Sequence, residues 1–142
     1  MWNKLFEISY EQNDYFYQLG DDIVFDNYDF LDEYIQELNN INNIGVTGYL
    51  TKNGNNSILT QSFVSKKHFQ IFGYYFPEII KNWFCDNWIS DVYRKFQLYK
   101  PLKCTIRNNG GPERYKITYD EKIVADEIKK GISMLEKYIS DC

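Results

Sequence analysis

The chain has one histidine, three prolines and three cysteines in 142 residues, and no apolar run near the roughly 20 residues that a membrane helix needs. Cys85, Cys104 and Cys142 are odd in number and follow no zinc spacing. Free thiols in a reducing compartment are the simplest reading, which sets the cytoplasm as the expected location. Glu7 and Glu11 interrupt the apolar pattern of MWNKLFEISYEQ, so the first residues do not read as a secretory leader. Positive charge is also scarce. The net charge is −4, and lysines pair only locally, at Lys66-Lys67 and Lys129-Lys130. A nucleic-acid binder would carry a basic stripe, and none is visible.

Aromatic residues are abundant. They make up 18% of the chain, with 13 Tyr and 10 Phe, enough apolar surface to exclude disorder. The length fits one domain with a real core. Apolar spacing predicts a helix over 2–12, an aromatic strand over 15–19 and an amphipathic helix over 30–38. Residues 44–50 read as a strand, and Asn53-Gly54-Asn55-Asn56 as a turn. A helix is expected over 62–72, capped by Ser62 and stopped by Gly73. Pro77 opens a further helical stretch with Ile79, Ile80 and Trp83, and Trp88, Ile89, Val92 and Tyr93 form a second stripe. Residues 98–106 read as a strand, 108–112 as a breaker and 121–139 as the longest helix, with Asp120 and Glu121 at its favourable end. The expected class is therefore α/β, a mixed sheet flanked by helices.

Four segments carry chemistry. Gly20-Asp21-Asp22 follows the aromatic strand, and ligands of α/β sheets gather beyond the carboxyl ends of strands. Two adjacent carboxylates there suit a hard divalent cation; Gly-Asp-Asp is equally an ordinary turn. His68 lies beside Ser65, Lys66 and Lys67, and a lone histidine is either structural or functional. Trp83 and Trp88 flank Asp86. Indole faces stack on sugar rings, and a carboxylate between them suits a general base; the alternative is two core tryptophans and a helix cap. Cys85 has no base or cation beside it, which argues against a catalytic thiol. Arg107 and Arg114 flank Asn108-Asn109-Gly110-Gly111-Pro112. The glycines permit close backbone approach and the arginines suit phosphate, or the whole is a surface turn.

The stretches YFYQLGDDIVF, GVTGYL, ILTQSFVSKKHFQIFGYYFPEIIKNWFCDNWISDVY and NNGGPERYKI, in this order, resemble the metal-dependent nucleotide-sugar glycosyltransferases of the A-fold type, a group found in large DNA viruses and protists. The resemblance implies the acceptor-side half of that fold. It implies a divalent metal (Mn or Mg) on Asp21 and Asp22, with Asp22 the direct ligand. Asp86 becomes the acceptor-activating base, Trp83 and Trp88 the acceptor wall, and His68 a residue facing the same cleft. The implied partners are a nucleotide-sugar donor and a carbohydrate or protein hydroxyl acceptor. Met1 stands just before the metal-motif strand, so the nucleotide-binding half of the family is expected to be missing or supplied by a partner chain. A non-catalytic remnant or carbohydrate-binding module is the alternative. Asn87 stands where the family pattern often has a second acidic residue.

Overall fold

In the computed structural model, which describes residues 1–26, 29–52, 57–81, 83–111 and 120–141 and only the backbone at Cys104, the aromatic run forms β1 (Tyr15–Gln18) after α1 (Trp2–Ser9) and one 3-10 turn (Tyr10–Gln12). There follow β2 (Ile23–Phe25), α2 (Phe30–Asn40), β3 (Val46–Thr51), β4 (Ser62–Ser65), α3 (Lys67–Phe72), α4 (Cys85–Arg94), β5 (Tyr99–Asn108) and α5 (Glu121–Ser140). The class is mixed α/β, as the periodicities predict. No helix among the described residues is long and apolar enough to cross a membrane.

The five strands form one sheet in the order β1-β4-β3-β5-β2. β3 and β5 are parallel, and the other neighbours are antiparallel. The connection from β1 to β2 forces this sheet to curl. The two strands occupy opposite edges, yet only five peptide steps separate Gln18 from Ile23, a reach of about 18 Å at most. Four flat strand spacings would need about 19 Å with no slack for a turn. Curling closes the gap, and the Tyr17 and Phe25 rings of the two edge strands come within 6.1 Å. A register shift between Tyr49 and Leu50 bends β5 against β3. Pro101 falls where β5 pairs with β3 alone, so its missing N–H breaks no ladder.

Alternating residues of the strands serve two cores. Tyr17, Tyr49, Phe63 and Ile106 pack with Tyr34 and Leu38 of α2 inside the curl. The Tyr34 hydroxyl accepts the Tyr49 N–H (3.0 Å) and lies 3.4 Å from the Tyr17 hydroxyl. Phe16, Val46 and Val64 face the other way, toward α1, α3, α4 and α5. There Gly131 lets α5 approach α4: a Cβ would stand 2.8 Å from Val92 and 3.1 Å from Trp88.

Three local expectations fail. Residues 62–65 are strand, because Phe63 and Val64 alternate between the two cores and pair with both β1 and β3. The helix starts only at Lys67, whose N–H is accepted by the Ser65 hydroxyl rather than by Ser62. It does end at Gly73, which takes the left-handed conformation (φ 75°). Pro77 opens one turn, with the Ile80 N–H on the Pro77 carbonyl, and among the described residues no helix follows before Cys85. β2 was not expected, since three half-buried residues give no readable alternation.

Candidate functional site

Backbone geometry brings the Gly-Asp-Asp segment and the start of α4 to one end of the sheet. Asp21 and Asp22 follow β1, whose end at Gln18 pairs with Ser62 at the beginning of β4. The Gly20 N–H donates to the Gln61 side-chain oxygen (2.6 Å). Thr60, one residue earlier, shares a hydroxyl hydrogen bond with Thr51 at the end of β3 (2.6 Å). The Leu59 N–H donates to Ser90 Oγ on α4 (3.2 Å), one turn beyond Asp86. The other end of α4 leads into Leu98, whose carbonyl accepts the N–H of Val46 at the start of β3 (3.1 Å). So α4 runs against β3, and its first turn lies with Asp22 at the carboxyl ends of β1, β3 and β5. In open parallel α/β sheets ligands bind at that end; here β3 and β5 are the one parallel pair among the described strands.

Two glycines make room for the Asp22 carboxylate. A Cβ on Gly20 would stand 2.7 Å from Asp22 Oδ1, and one on Gly110 would overlap Oδ2. The Asp22 carbonyl accepts the Asn109 N–H (2.8 Å), and Asn108 Oδ1 accepts the Gly110 N–H (2.7 Å), which folds the breaker loop over the acid. The expected close approach at Gly110 is therefore made by Asp22 itself. Asp21 is exposed. Among the described residues no cation pairs with Asp22, and no trio of acidic, histidine or cysteine side chains is grouped to hold a metal. A divalent ion here would rest on at most two carboxylates, with phosphate and water oxygens completing its shell, as magnesium sites usually do.

Asp86 lies in the first turn of α4, half-buried, and burial pushes its carboxyl above the ordinary range. It accepts the Asn87 N–H (3.0 Å), and no described cation pairs with it. α4 begins at Phe84, a bulky residue held in the left-handed conformation (φ 71°) at a cost of about 1–2 kcal/mol. Such outliers are common at functional turns. Phe84, Asn87 and Asp91 line one wall of a cleft of about 250 Å³, faced by Glu121, Val124 and Ile128 of α5. Burial, then the Asp86 charge, push the Cys85 thiol up to about 12, and its Sγ donates to the Ile80 carbonyl; it is no nucleophile.

The other predicted residues scatter. Trp83 is half-buried just before the cleft. Trp88, expected in an acceptor wall, has no exposed surface; its Nε1 donates to the Glu127 carbonyl (2.9 Å), and it packs under α5. The stripe Trp88, Ile89, Val92, Tyr93 is the core face of α4, which places Trp88 beyond reach of a sugar. His68, expected to face the cleft, is 1% exposed in the core. Its Nε2 meets the Tyr75 carbonyl (3.0 Å) and its Nδ1 the Tyr93 hydroxyl (2.8 Å). A carbonyl only accepts, so Nε2 carries the proton and the Tyr93 hydroxyl donates to Nδ1. Burial holds the ring neutral, with its pKa lowered to about 4. Arg107 is exposed and pairs with Asp26 (3.2 Å), which Lys52 also holds (2.7 Å). Arg114 and the Asn53–Asn56 turn lie outside the described residues.

No protein-family model matches the chain, and no curated protein and no solved structure matches it either. Gln61 and Phe84 were missed from the sequence. A glutamine holding a backbone N–H gives no periodic signal, and nothing in the letters marks a phenylalanine with positive φ.

Proposed function

We propose that this chain is the acceptor-side half of an A-type glycosyltransferase fold, moving a sugar from a nucleotide-sugar donor to a hydroxyl acceptor with a divalent ion. What supports this reading is the placement of two carboxylates, Asp22 and Asp86, neither paired with a described cation, toward the same end of a mixed sheet. The oxygen-only donor set of Asp21 and Asp22, with glycine on both sides of the Asp22 carboxylate, fits manganese or magnesium. Such an ion, when bound, stabilises the negative charge of a leaving diphosphate. Asp86 accepts the proton of the acceptor hydroxyl as that oxygen attacks the anomeric carbon. Its raised pKa brings it nearer neutrality, as a general base requires. Half-buried Trp83 and the cleft wall at Phe84 are the aromatic surfaces available to an acceptor sugar, in place of Trp88. His68 takes no direct part in this reading.

The test is calorimetric titration of uridine diphosphate with and without manganese, for the native chain and Asp22→Ala. Manganese-dependent binding that Asp22→Ala abolishes is expected. Absence of binding with and without the metal would remove the transferase reading and leave a non-catalytic module. Asp86→Asn should retain nucleotide binding and lose about 10²–10⁴-fold in transfer rate, the usual contribution of a general base.

A further inference from the structure

Gly20 and Gly110 both stand against the Asp22 carboxylate, and neither has a positive φ, so space and not backbone conformation calls for glycine at each. Gln61 holds the first of them. Its side-chain oxygen accepts the Gly20 N–H (2.6 Å). An N–H only donates, so the oxygen of the carboxamide is the atom that faces Gly20. Glutamine is mostly an exposed residue, yet Gln61 is only 6% exposed. It lies in the short link between Leu59 and β4, and that link is pinned on both sides. The Leu59 N–H is held by Ser90 of α4, Thr60 by Thr51 of β3, and the Ser62 carbonyl accepts the Tyr75 hydroxyl (2.7 Å). The Gln61 carbonyl lies close against β3, where a Cβ on Gly48 would stand 2.8 Å from it. The side chain therefore reaches from a fixed backbone onto the turn that joins β1 to β2.

We propose that Gln61 is the positioning residue of the Asp22 centre: by holding the Gly20 N–H it fixes the turn that seats the carboxylate between the two glycines, and so sets the affinity for a divalent ion. The inference rests on the transferase reading for the identity of that ion. The Asp22 carbonyl accepts the Asn109 N–H (2.8 Å), which ties the far side of the seat to the loop after β5. The Gln61 bond ties the near side. A Cβ on Gly20 would stand 2.7 Å from Asp22 Oδ1 and 3.7 Å from Gln61 Oε1, so the carboxylate and the carboxamide both rest against this glycine. A shift of Gly20 moves the wall on which the carboxylate lies. Gln61 does not touch the ion; it acts through Gly20 and Asp22. Outer partners of this kind orient metal ligands, and their loss usually costs about 10–100-fold in metal affinity.

Manganese affinity, read from the electron paramagnetic resonance of the free ion, tests it for the native chain and Gln61→Met, with the metal alone and with uridine diphosphate. Asp22→Ala sets the baseline. Methionine keeps the length of the side chain and removes the acceptor. Gln61→Met should bind about 10–100-fold more weakly than the native chain while keeping its circular dichroism spectrum. A residue that served only the fold would lower the melting temperature and leave the affinity of the folded chain unchanged. A second measurement needs no variant. Coupling between two sites is reciprocal, so saturating magnesium should slow hydrogen exchange of the Gly20 amide by the same factor, beyond any change in the β1–β4 ladder. Gln61→Glu, which keeps an acceptor for Gly20, should keep that amide protected where Gln61→Met exposes it. Equal manganese affinity for the native chain and Gln61→Met would overturn this inference and leave the transferase reading standing. So would a Gly20 amide indifferent to magnesium in a chain that binds the ion. A native chain that binds no manganese under either condition would remove both.

Discussion

His68 and Asp86 sit in neighbouring helices of one layer, both shielded from water, and the fold treats them in opposite ways. The imidazole has a fixed partner for each ring nitrogen, the Tyr93 hydroxyl and the Tyr75 carbonyl. The carboxylate has a backbone N–H from its own turn and no described cation. Burial favours the neutral form of each, lowering the pKa of His68 and raising that of Asp86. A neutral imidazole with both nitrogens satisfied is at rest in a core. A carboxylate held short of its solvation is poised to take a proton. The contrast separates a polar residue whose two ring nitrogens are both satisfied in the core from a carboxylate without a described cation.

The largest expected effect comes from breaking the satisfied member. His68→Ala leaves the Tyr93 hydroxyl and the Tyr75 carbonyl without their partner and opens a cavity in the core. A loss of about 3 kcal/mol or more is expected, read by urea denaturation, with the melting temperature falling roughly 10 °C. A change below about 1 kcal/mol would mean that the imidazole is not packed as described.

Acid probes the same residue without mutation. Its folded pKa lies near 4, below the ordinary 6.5. Between those values the unfolded chain takes up a proton that the folded chain refuses, so stability falls as pH drops through this window. The shift corresponds to about 3 kcal/mol from this residue, all of it present above pH 6.5 and lost by pH 4. Urea midpoints measured from pH 7 to 4 should show the decline, and a His68→Ala background should flatten it. Asp86 acts in the opposite sense, since its raised pKa makes the folded state more comfortable as its carboxyl protonates.

Gly131→Ala tests the packing that took Trp88 away from the cleft. The new Cβ meets Val92 at 2.8 Å and Trp88 at 3.1 Å, backed by a tightly packed helix pair. Overpacking costs about 1–3 kcal/mol, against a helix-propensity gain of about 1 kcal/mol. Net destabilisation of about 1 kcal/mol is expected in thermal melts. A stabilised variant would show that α5 can move away from α4.

Much of this fold is legible in the letters. The stripe from Val124 to Ile139 and the aromatic run at Tyr15–Gln18 depend on local periodicity, and both form as expected. Residues 62–65 were not legible, because Phe63 and Val64 serve opposite cores and a four-residue strand looks the same as a helix start. The site divides along similar lines. Asp22 and Asp86 could be named from residue type and spacing. Their shared position at one end of the sheet depends on the reversal of α4 against β3, which is a long-range fact. Trp88 and His68 misled for one reason: aromatic and imidazole groups suit a ligand site and a core equally, and burial decides between them.

The smallest effect expected is on the stability of Asp86→Asn, and its sign is the informative part. The amide keeps the shape of the carboxyl, and its side-chain oxygen can still accept the Asn87 N–H. The charge it removes is half-buried and without a described cation, so its loss relieves desolvation instead of breaking an ion pair. At pH 7 the variant should be as stable as the native chain or more so, by less than about 1 kcal/mol, and the difference should shrink as acid protonates the native carboxyl. A substitution that leaves the fold untouched or firmer while transfer is lost is the signature of strain kept for chemistry. Destabilisation instead would place Asp86 with His68, as a group the core needs, and would remove the contrast between them.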